Sequence, residues 1–244
     1  MIKSKQFVDG LAICGDALVE IPLLTEKYKL VICDPPYGNI VSDKWDKITT
    51  DNLVDWLIEL STSISNVLVD GGSAYIFGGV GKYKDRPFFK YLSRVENETD
   101  LHLHNLITWG KKRAYGVSHN YLFTREEIAF LVKGEKPSTF NIPLLSTKRG
   151  YAGYNEKYPA KSEFFRRTNV WSDITEIFKG KVHVAQKPEA LLTVPILAHT
   201  EHGDTILDPC GGSFSTALAA RSTGRKFVVI EKDETIFNKM IERL

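Results

Sequence analysis

Two short stretches hold residue types that could do chemistry together: VICDPPYG at 31–38 and TILDPCGGS at 205–213. Each is an apolar run that stops at Asp-Pro. Proline has no N–H and cannot extend a strand ladder, so each reads as a strand ending at an acid. In the first, Asp34, Pro35, Pro36 and Tyr37 put an acceptor, a stiff turn and an aromatic ring within four residues. In the second, Asp208 and Pro209 precede Gly211, Gly212 and Ser213. Glycines there let backbone approach a ligand closely, and a helix from near residue 214 would aim its N-terminus at that ligand. The next apolar run, KFVVIE, ends in Glu231. An acid about 20 residues beyond the glycines is the usual ribose-hydroxyl acceptor of a nucleotide-binding βαβ unit. The full G-x-G-x-x-G is missing, which disfavours a dinucleotide fold. Two readings of this group stay open: a nucleoside site, or a tight βα turn with a capping acid.

These acids need a scaffold, and the hydrophobic pattern supplies one. Strands are expected at 11–14, 29–33, 73–78, 104–109, 127–132, 205–210 and 226–231, several of them almost continuously apolar. Helices are expected at 51–68, capped by Thr50 or Asp51, and at 83–96, 188–200, 214–223 and 233–244. Alternation of this kind is the signature of an α/β fold whose mainly parallel sheet is covered on both faces. Such sheets bind ligands at the carboxyl ends of strands, where strand order reverses, so both acid tips are expected in one crevice.

The 244 residues suit one domain carrying a long insertion. No apolar run approaches a membrane span, and the start, MIKSKQFVDG, lacks a signal-peptide core. Cys14, Cys33 and Cys210 are odd in number and sit in apolar runs, as buried thiols would. The expectation is a cytoplasmic protein with no membrane partner.

One region breaks the rhythm. Residues 134–182 are polar, basic and aromatic, with Phe140, Tyr151, Tyr154, Tyr158, Phe164, Phe165 and Trp171. Residues 133–187 hold 11 Lys and Arg against 5 Asp and Glu, on an otherwise mildly acidic chain. Basic residues among aromatics are suited to gripping phosphates and stacking bases. The plainer reading is a solvated excrescence whose aromatics fill a core of their own. KKRAYG at 111–116 reads as a turn, either solvated or reaching phosphates. GGVGKY at 78–83 lacks P-loop spacing. His102 with His104, and His199 with His202, lack third and fourth ligands at good spacing, so no metal is expected.

DPPYG at 34–38, HVAQKP at 183–188, DPCGGSFST at 208–216 and VIEKD at 229–233, in this order, resemble the β-class DNA amino-methyltransferases. GDAL at 15–18, HNLITWGKK at 104–112, EEIAFLVKG at 126–134 and NVWSD at 169–173 extend the resemblance over nearly the whole chain. It implies a Rossmann-like seven-stranded methyltransferase sheet, circularly permuted, entered at the family's third strand and left after its second. Residues 1–133 with 183–244 would form the catalytic domain and 134–182 the target-recognition insertion. The implied reaction is methyl transfer from S-adenosylmethionine to the N6 amine of an adenine flipped out of duplex DNA. N4-cytosine methylation, or a catalytically silent DNA-binding subunit, are the alternatives.

By the same resemblance, Asp34 and the Pro35 carbonyl accept from the amine, Pro36 stiffens the turn and Tyr37 stacks on the base. Asp16, Asp208, Pro209, Gly211, Gly212, Ser213 and Glu231 would line the cofactor. Gln186 would belong with them, and Lys187 would meet the cofactor's carboxylate. Lys111, Lys112, Arg113, Lys148, Arg149, Arg166 and Arg167 would meet DNA. The resemblance further suggests a homodimer, a cognate restriction endonuclease, and a bacterial or phage source with action at the nucleoid. Two departures stand out. Cys210 and Phe214 replace a Phe and a Gly of the family's D-P-F-x-G-S-G, and Val184 and Ala185 replace Pro and Thr before QKP. Phe214 would either crowd the cofactor or point away from it.

Overall fold

The computed structural model describes residues 3–38, 49–79, 86–116, 118–148 and 163–244. Nine strands form one sheet and two form a small second one. In chain order they are β1 (Ser4–Phe7), β2 (Gly10–Cys14), β3 (Tyr28–Cys33), β4 (Leu68–Gly78), β5 (Leu101–Tyr115), β6 (Phe123–Lys133), β7 (Leu144–Lys148), β8 (Phe164–Arg166), β9 (Val170–Trp171), β10 (Thr205–Asp208) and β11 (Lys226–Glu231). The helices are α1 (Ala17–Glu20), α2 (Thr50–Val67), α3 (Pro87–Glu98), α4 (Glu189–His199), α5 (Ser215–Ser222) and α6 (Glu234–Met240). The large sheet runs β1-β2-β11-β10-β3-β4-β6-β5-β9. Its middle seven strands, β2 to β5, are the expected permuted sheet. β1 adds an antiparallel strand at one edge, and β9 pairs parallel with β5 at the other.

Period-two alternation explains the layering. Leu30 and Ile32 of β3, Ile206 of β10, Phe227 and Val229 of β11, and Tyr75 and Phe77 of β4 pack on one face with α4, α5 and α6. Val31, Cys33, Leu207, Val228, Ile230, Ala74 and Ile76 pack on the other, against α1, α2 and α3. Both faces are buried, so the strands are apolar throughout. β3 continues through α2 on one face, and β10 through α5 on the opposite face. Yet β3 and β10 are parallel neighbours, with Leu207 beside Val31. The crevice between diverging crossovers therefore opens at the ends of these two strands.

Several expectations are corrected. Residues 111–115 are not a turn; they continue β5, which after an irregularity meets β6 again where Tyr115 pairs with Phe123. The cap of α2 is Thr49, one residue before the expected pair. The region from 134 to 182 does not stay apart from the core. Trp171 and Ile174 are buried in it, and Trp109 Nε1 donates to the Ile174 carbonyl at 2.8 Å. β7 and β8 form the two-stranded sheet. Tyr151, Tyr154, Tyr158, Arg149 and most of GGVGKY lie outside the described residues. His199 is a core residue: its ring lies within hydrogen-bonding distance of Tyr75, Ser73 and the Thr139 carbonyl, at 3.0, 3.1 and 2.9 Å. No helix among the described residues is long and apolar enough to cross a membrane.

Candidate active site

Four neighbouring parallel strands each deliver an acid to one end of the sheet. Asp16 follows β2, Glu231 ends β11, Asp208 ends β10 and Asp34 follows β3. Together they line a single cavity of about 630 Å³. That is within the range of pockets that hold one small ligand. Ile32, Leu53, Trp56, Leu192 and Ile236 form its apolar walls. Five carboxylates line it, counting Asp233, against the two lysines Lys187 and Lys232.

Each acid is held differently. Asp16 caps α1, accepting from Leu18 N at 3.0 Å, and pairs with Lys232 at 2.7 Å. Burial raises its carboxyl, but the Lys232 ammonium and the cap bond outweigh that and hold it below its ordinary range. Glu231 accepts from Gly212 N at 2.7 Å and Asp233 N at 2.8 Å, so its orientation is fixed from both sides of the cavity. Burial raises its carboxyl. Asp208 accepts from Cys210 N at 3.0 Å and is almost wholly buried. Burial pushes its carboxyl up to about 7, against the opposing bonds from Thr216 and Cys210.

Asp34 sits in a network. The Tyr37 hydroxyl donates to its Oδ1 at 2.9 Å, and Lys187 Nζ donates to its Oδ2 at 2.5 Å. Burial raises the Asp34 carboxyl, with Lys187 opposing. Lys187 is 6% exposed and lies over the rings of Tyr37 and Phe77. Burial would lower its ammonium, yet Asp34 and Glu126 together raise it. A lysine buried this deeply keeps its charge only because carboxylates surround it.

The structure therefore redistributes the expected roles. Asp16, Asp34, Pro35, Pro36, Tyr37, Asp208, Pro209, Gly211, Gly212, Ser213 and Glu231 all line the cavity. Lys187 lines it too, but it faces Asp34 rather than standing free for a cofactor carboxylate. Gln186 is not among the lining residues; its side-chain amide oxygen, Oε1, accepts from Val182 N at 2.9 Å and braces the loop. The Tyr37 ring packs against the core beneath the Lys187 ammonium, so here it is not an open platform. Phe214 does not crowd the cavity. It is fully buried, edge-on to Phe237 at 6.0 Å, with a left-handed backbone, φ 58°. The conformation a glycine would favour is kept, while the side chain fills the core.

Of the basic candidates, Lys112 and Arg113 are exposed, and their backbone N–H groups donate to Glu176 at 2.9 and 2.6 Å. Arg166 is exposed. Lys148 is exposed and pairs loosely with Glu163 at 3.3 Å. Two are corrected. Lys111 is spent on Glu126, over the Trp109 ring. Arg167 is nearly buried and bidentate to Asp173 at 2.6 and 2.8 Å. Arg149 lies outside the described residues.

Sequence reasoning missed Glu126 as a site residue. It stands on β6 opposite Trp109, with Oε2 3.5 Å from Lys187 Nζ and 3.3 Å from the Tyr37 hydroxyl. Lys187 and Lys111 overcome its burial and hold its carboxyl below the ordinary range. The signal was there: Glu126 and Glu127 open an apolar strand on a buried sheet, where an acid needs a partner.

The DNA methylase family model, of the N6/N4 group, matches residues 28–242. The DNA adenine methyltransferase YhdJ of Escherichia coli K12 is 31% identical over 253 residues, covering 94% of this chain and 81% of that protein. The solved PvuII DNA methyltransferase, cytosine-N4-specific, superposes with a TM-score of 0.78 at 19% identity, over 98% of this chain and 87% of its own. M1.HpyAVI, solved as a complex with S-adenosylmethionine, gives 0.64 at 24% identity, over 96% and 98%. At these identities the two solved structures speak for the fold. The extent of the family match and the identity to the adenine enzyme settle the rest: the chain belongs to the DNA methylase family.

Proposed function

We propose that the protein methylates the N6 amine of adenine in duplex DNA, using S-adenosylmethionine. The carrying observation is one cavity that joins Asp34-Pro-Pro-Tyr37 to the Asp208–Gly212–Glu231 group. The cavity fits the cofactor in size, and its acidic lining suits a cationic sulfonium. Glu231 would accept from the ribose hydroxyls, Asp16 from the adenine amine, and the Gly211–Gly212 turn would pass close to the cofactor's backbone. When bound, the cofactor supplies a methyl on a sulfonium, which leaves as a neutral thioether.

The chain's own residues prepare the amine. Its lone pair is delocalised into the ring, and pyramidal geometry needs acceptors for its N–H groups. Asp34 supplies one and the Pro35 carbonyl the other, aimed by a turn that two prolines stiffen. Asp34, with its basicity raised by burial, also suits the proton that the methylated nitrogen sheds. A base reaches such a cavity only by leaving the stack. Residues 134–169, with the exposed Lys112 and Arg113, would grip the duplex. Homodimerisation and pairing with an endonuclease rest on the sequence resemblance alone.

The second reading is N4-cytosine methylation, favoured by the likeness to the PvuII enzyme's fold. Asp34, rather than the Ser more usual there, favours adenine. A silent subunit loses its motive once Phe214 points into the core. The test incubates protein, methyl-labelled S-adenosylmethionine and unmethylated duplex DNA, then digests to nucleosides. Label is expected in N6-methyladenine and absent with Asp34→Ala. Label confined to 4-methylcytosine overturns the adenine assignment, and no label on any duplex overturns the enzyme.

A further inference from the structure

Asp34 as it stands is occupied. Both of its oxygens already accept a hydrogen bond, one from Tyr37 and one from Lys187. The Lys187 ammonium at 2.5 Å reduces the carboxylate's power to accept from a second donor. It also sets a positive charge beside the place where a methylated amine becomes cationic. An amine entering here competes with both donors for those oxygens, and makes its best contact once they withdraw.

Both have the same second partner. Glu126 Oε2 lies 3.5 Å from Lys187 Nζ and 3.3 Å from the Tyr37 hydroxyl. Small torsional changes at Lys187 and Tyr37 would exchange one carboxylate for the other without backbone movement. Lys111 holds the other oxygen of Glu126, which keeps Oε2 turned toward them. The four charges, Asp34, Glu126, Lys111 and Lys187, sum to zero, so the exchange leaves the buried cluster neutral.

We propose that Glu126 is a positioning residue that draws Lys187 and Tyr37 off Asp34 when the substrate amine enters. This rests on the methyltransferase reading above. It adds a resting state in which Asp34 is masked and an engaged state in which Glu126 takes both donors. Glu126 touches neither substrate nor cofactor in this scheme and acts only through Asp34.

The experiment compares Glu126→Gln, Lys187→Met and the double variant with wild type. It uses methyl-labelled S-adenosylmethionine and unmethylated genomic DNA amplified in vitro. Glu126→Gln leaves Lys187 clamped on Asp34, so kcat is expected to fall at least tenfold. KM for DNA and the cofactor Kd should stay within about twofold. Lys187→Met is expected to slow wild type, by leaving two buried anions to one lysine. In the Glu126→Gln background the same change removes the clamp and restores charge balance, so kcat is expected to rise. Wild-type kcat in Glu126→Gln, or a further loss in the double variant, overturns the proposal. If Glu126→Gln alone misfolds, the double variant still decides: activity above that of Lys187→Met is expected, and activity below it overturns the exchange. A wild type that methylates no DNA refutes the enzyme reading instead. The exchange is then read by carbon NMR of the Asp34 carboxyl, whose titration midpoint should drop in Glu126→Gln. An unchanged midpoint overturns it.

Discussion

Asp208 is a buried acid held at a cost, and replacing it by asparagine should stabilise the protein. It ends β10 at 5% exposure, with the Cys210 N–H and the Thr216 hydroxyl as neutral donors. Burial moves its carboxyl from an ordinary 3.8 to about 7, and the Asp34 and Glu231 charges add to the rise. The folded chain therefore keeps a proton on Asp208 at pH values where the unfolded chain has lost it. Its contribution to stability is full below about pH 4, falls as pH rises, and is gone above about pH 7. A displacement of that size corresponds to about 4 kcal/mol. Asparagine keeps the shape and an acceptor for Cys210 N, and never ionises. Urea unfolding should show Asp208→Asn more stable than wild type by about 4 kcal/mol at pH 8 and by about 1.5 kcal/mol at pH 5. A gain that does not grow between those pH values refutes the reasoning, as does a loss at pH 8. The same variant should bind S-adenosylmethionine more weakly, since a cationic ligand loses an anion. Stability traded against a binding charge is the usual pattern at functional sites.

Phe214 gives an inverted ranking. Phe214→Ala should cost about 3–5 kcal/mol for the lost ring, while Phe214→Gly should cost about 1 kcal/mol less, because it alone relieves the left-handed backbone. Equal urea midpoints, or alanine the more stable, would remove that explanation. The two arginines should separate by assay. Arg113→Ala should lower the slope of log affinity for DNA against log salt by about 1 with little change in stability. Arg167→Ala should leave the slope and destabilise by about 1 kcal/mol, because Asp173, half exposed, loses a bidentate partner but keeps water. His199 is pushed down to about 4 by burial. Its contribution is present above pH 6.5 and is lost as pH falls through 4, about 3 kcal/mol in all. Its ring resonances should report a neutral imidazole until near pH 4, and a midpoint above 6 in the folded protein would be inconsistent with its burial.

Much of the site was legible because its acids terminate apolar strands. A run such as KFVVIE fixes both ends of β11 without reference to the rest of the chain, and Glu231 follows from its last position. The DPPY and DPCGGS tips were placed side by side by the rule for open sheets, and β3 and β10 are neighbours. What stayed hidden depends on distance in space rather than in sequence. Lys187 and Asp34 are 153 residues apart, and nothing local tells a lysine before a helix that its partner is a carboxylate across the crevice. β9 is too short to have a period, so its place in the sheet was invisible until Trp171 was seen in the core. The KKRAYG segment looked like a turn because it is polar. It stays extended because the Glu176 carboxylate takes the N–H groups of Lys112 and Arg113, and Tyr115 meets Phe123 of β6 beyond them.

The two strand-tip aspartates share a crevice, yet they are neutralised differently, and that gives the cavity a direction. Lys187 balances Asp34, with Glu126 and Lys111 completing a neutral cluster at that end. Asp208 relies on two neutral donors, and Glu231 on two backbone N–H groups, so neither acid is balanced by a cation of its own. In the methyltransferase reading, a cofactor with its adenine at Asp16 and its ribose at Glu231 brings its sulfonium next to Asp208, the following strand tip in the sheet. The target base, a separate molecule, then falls toward Asp34, whose lysine can move aside onto Glu126. A cation that relieves Asp208 also lowers its proton affinity, so cofactor binding should tighten as pH rises toward 7 and level off above it. Calorimetric titration across pH 5.5 to 8.5 reads this directly. A dissociation constant that does not change over that range would show that the cation does not lie beside Asp208.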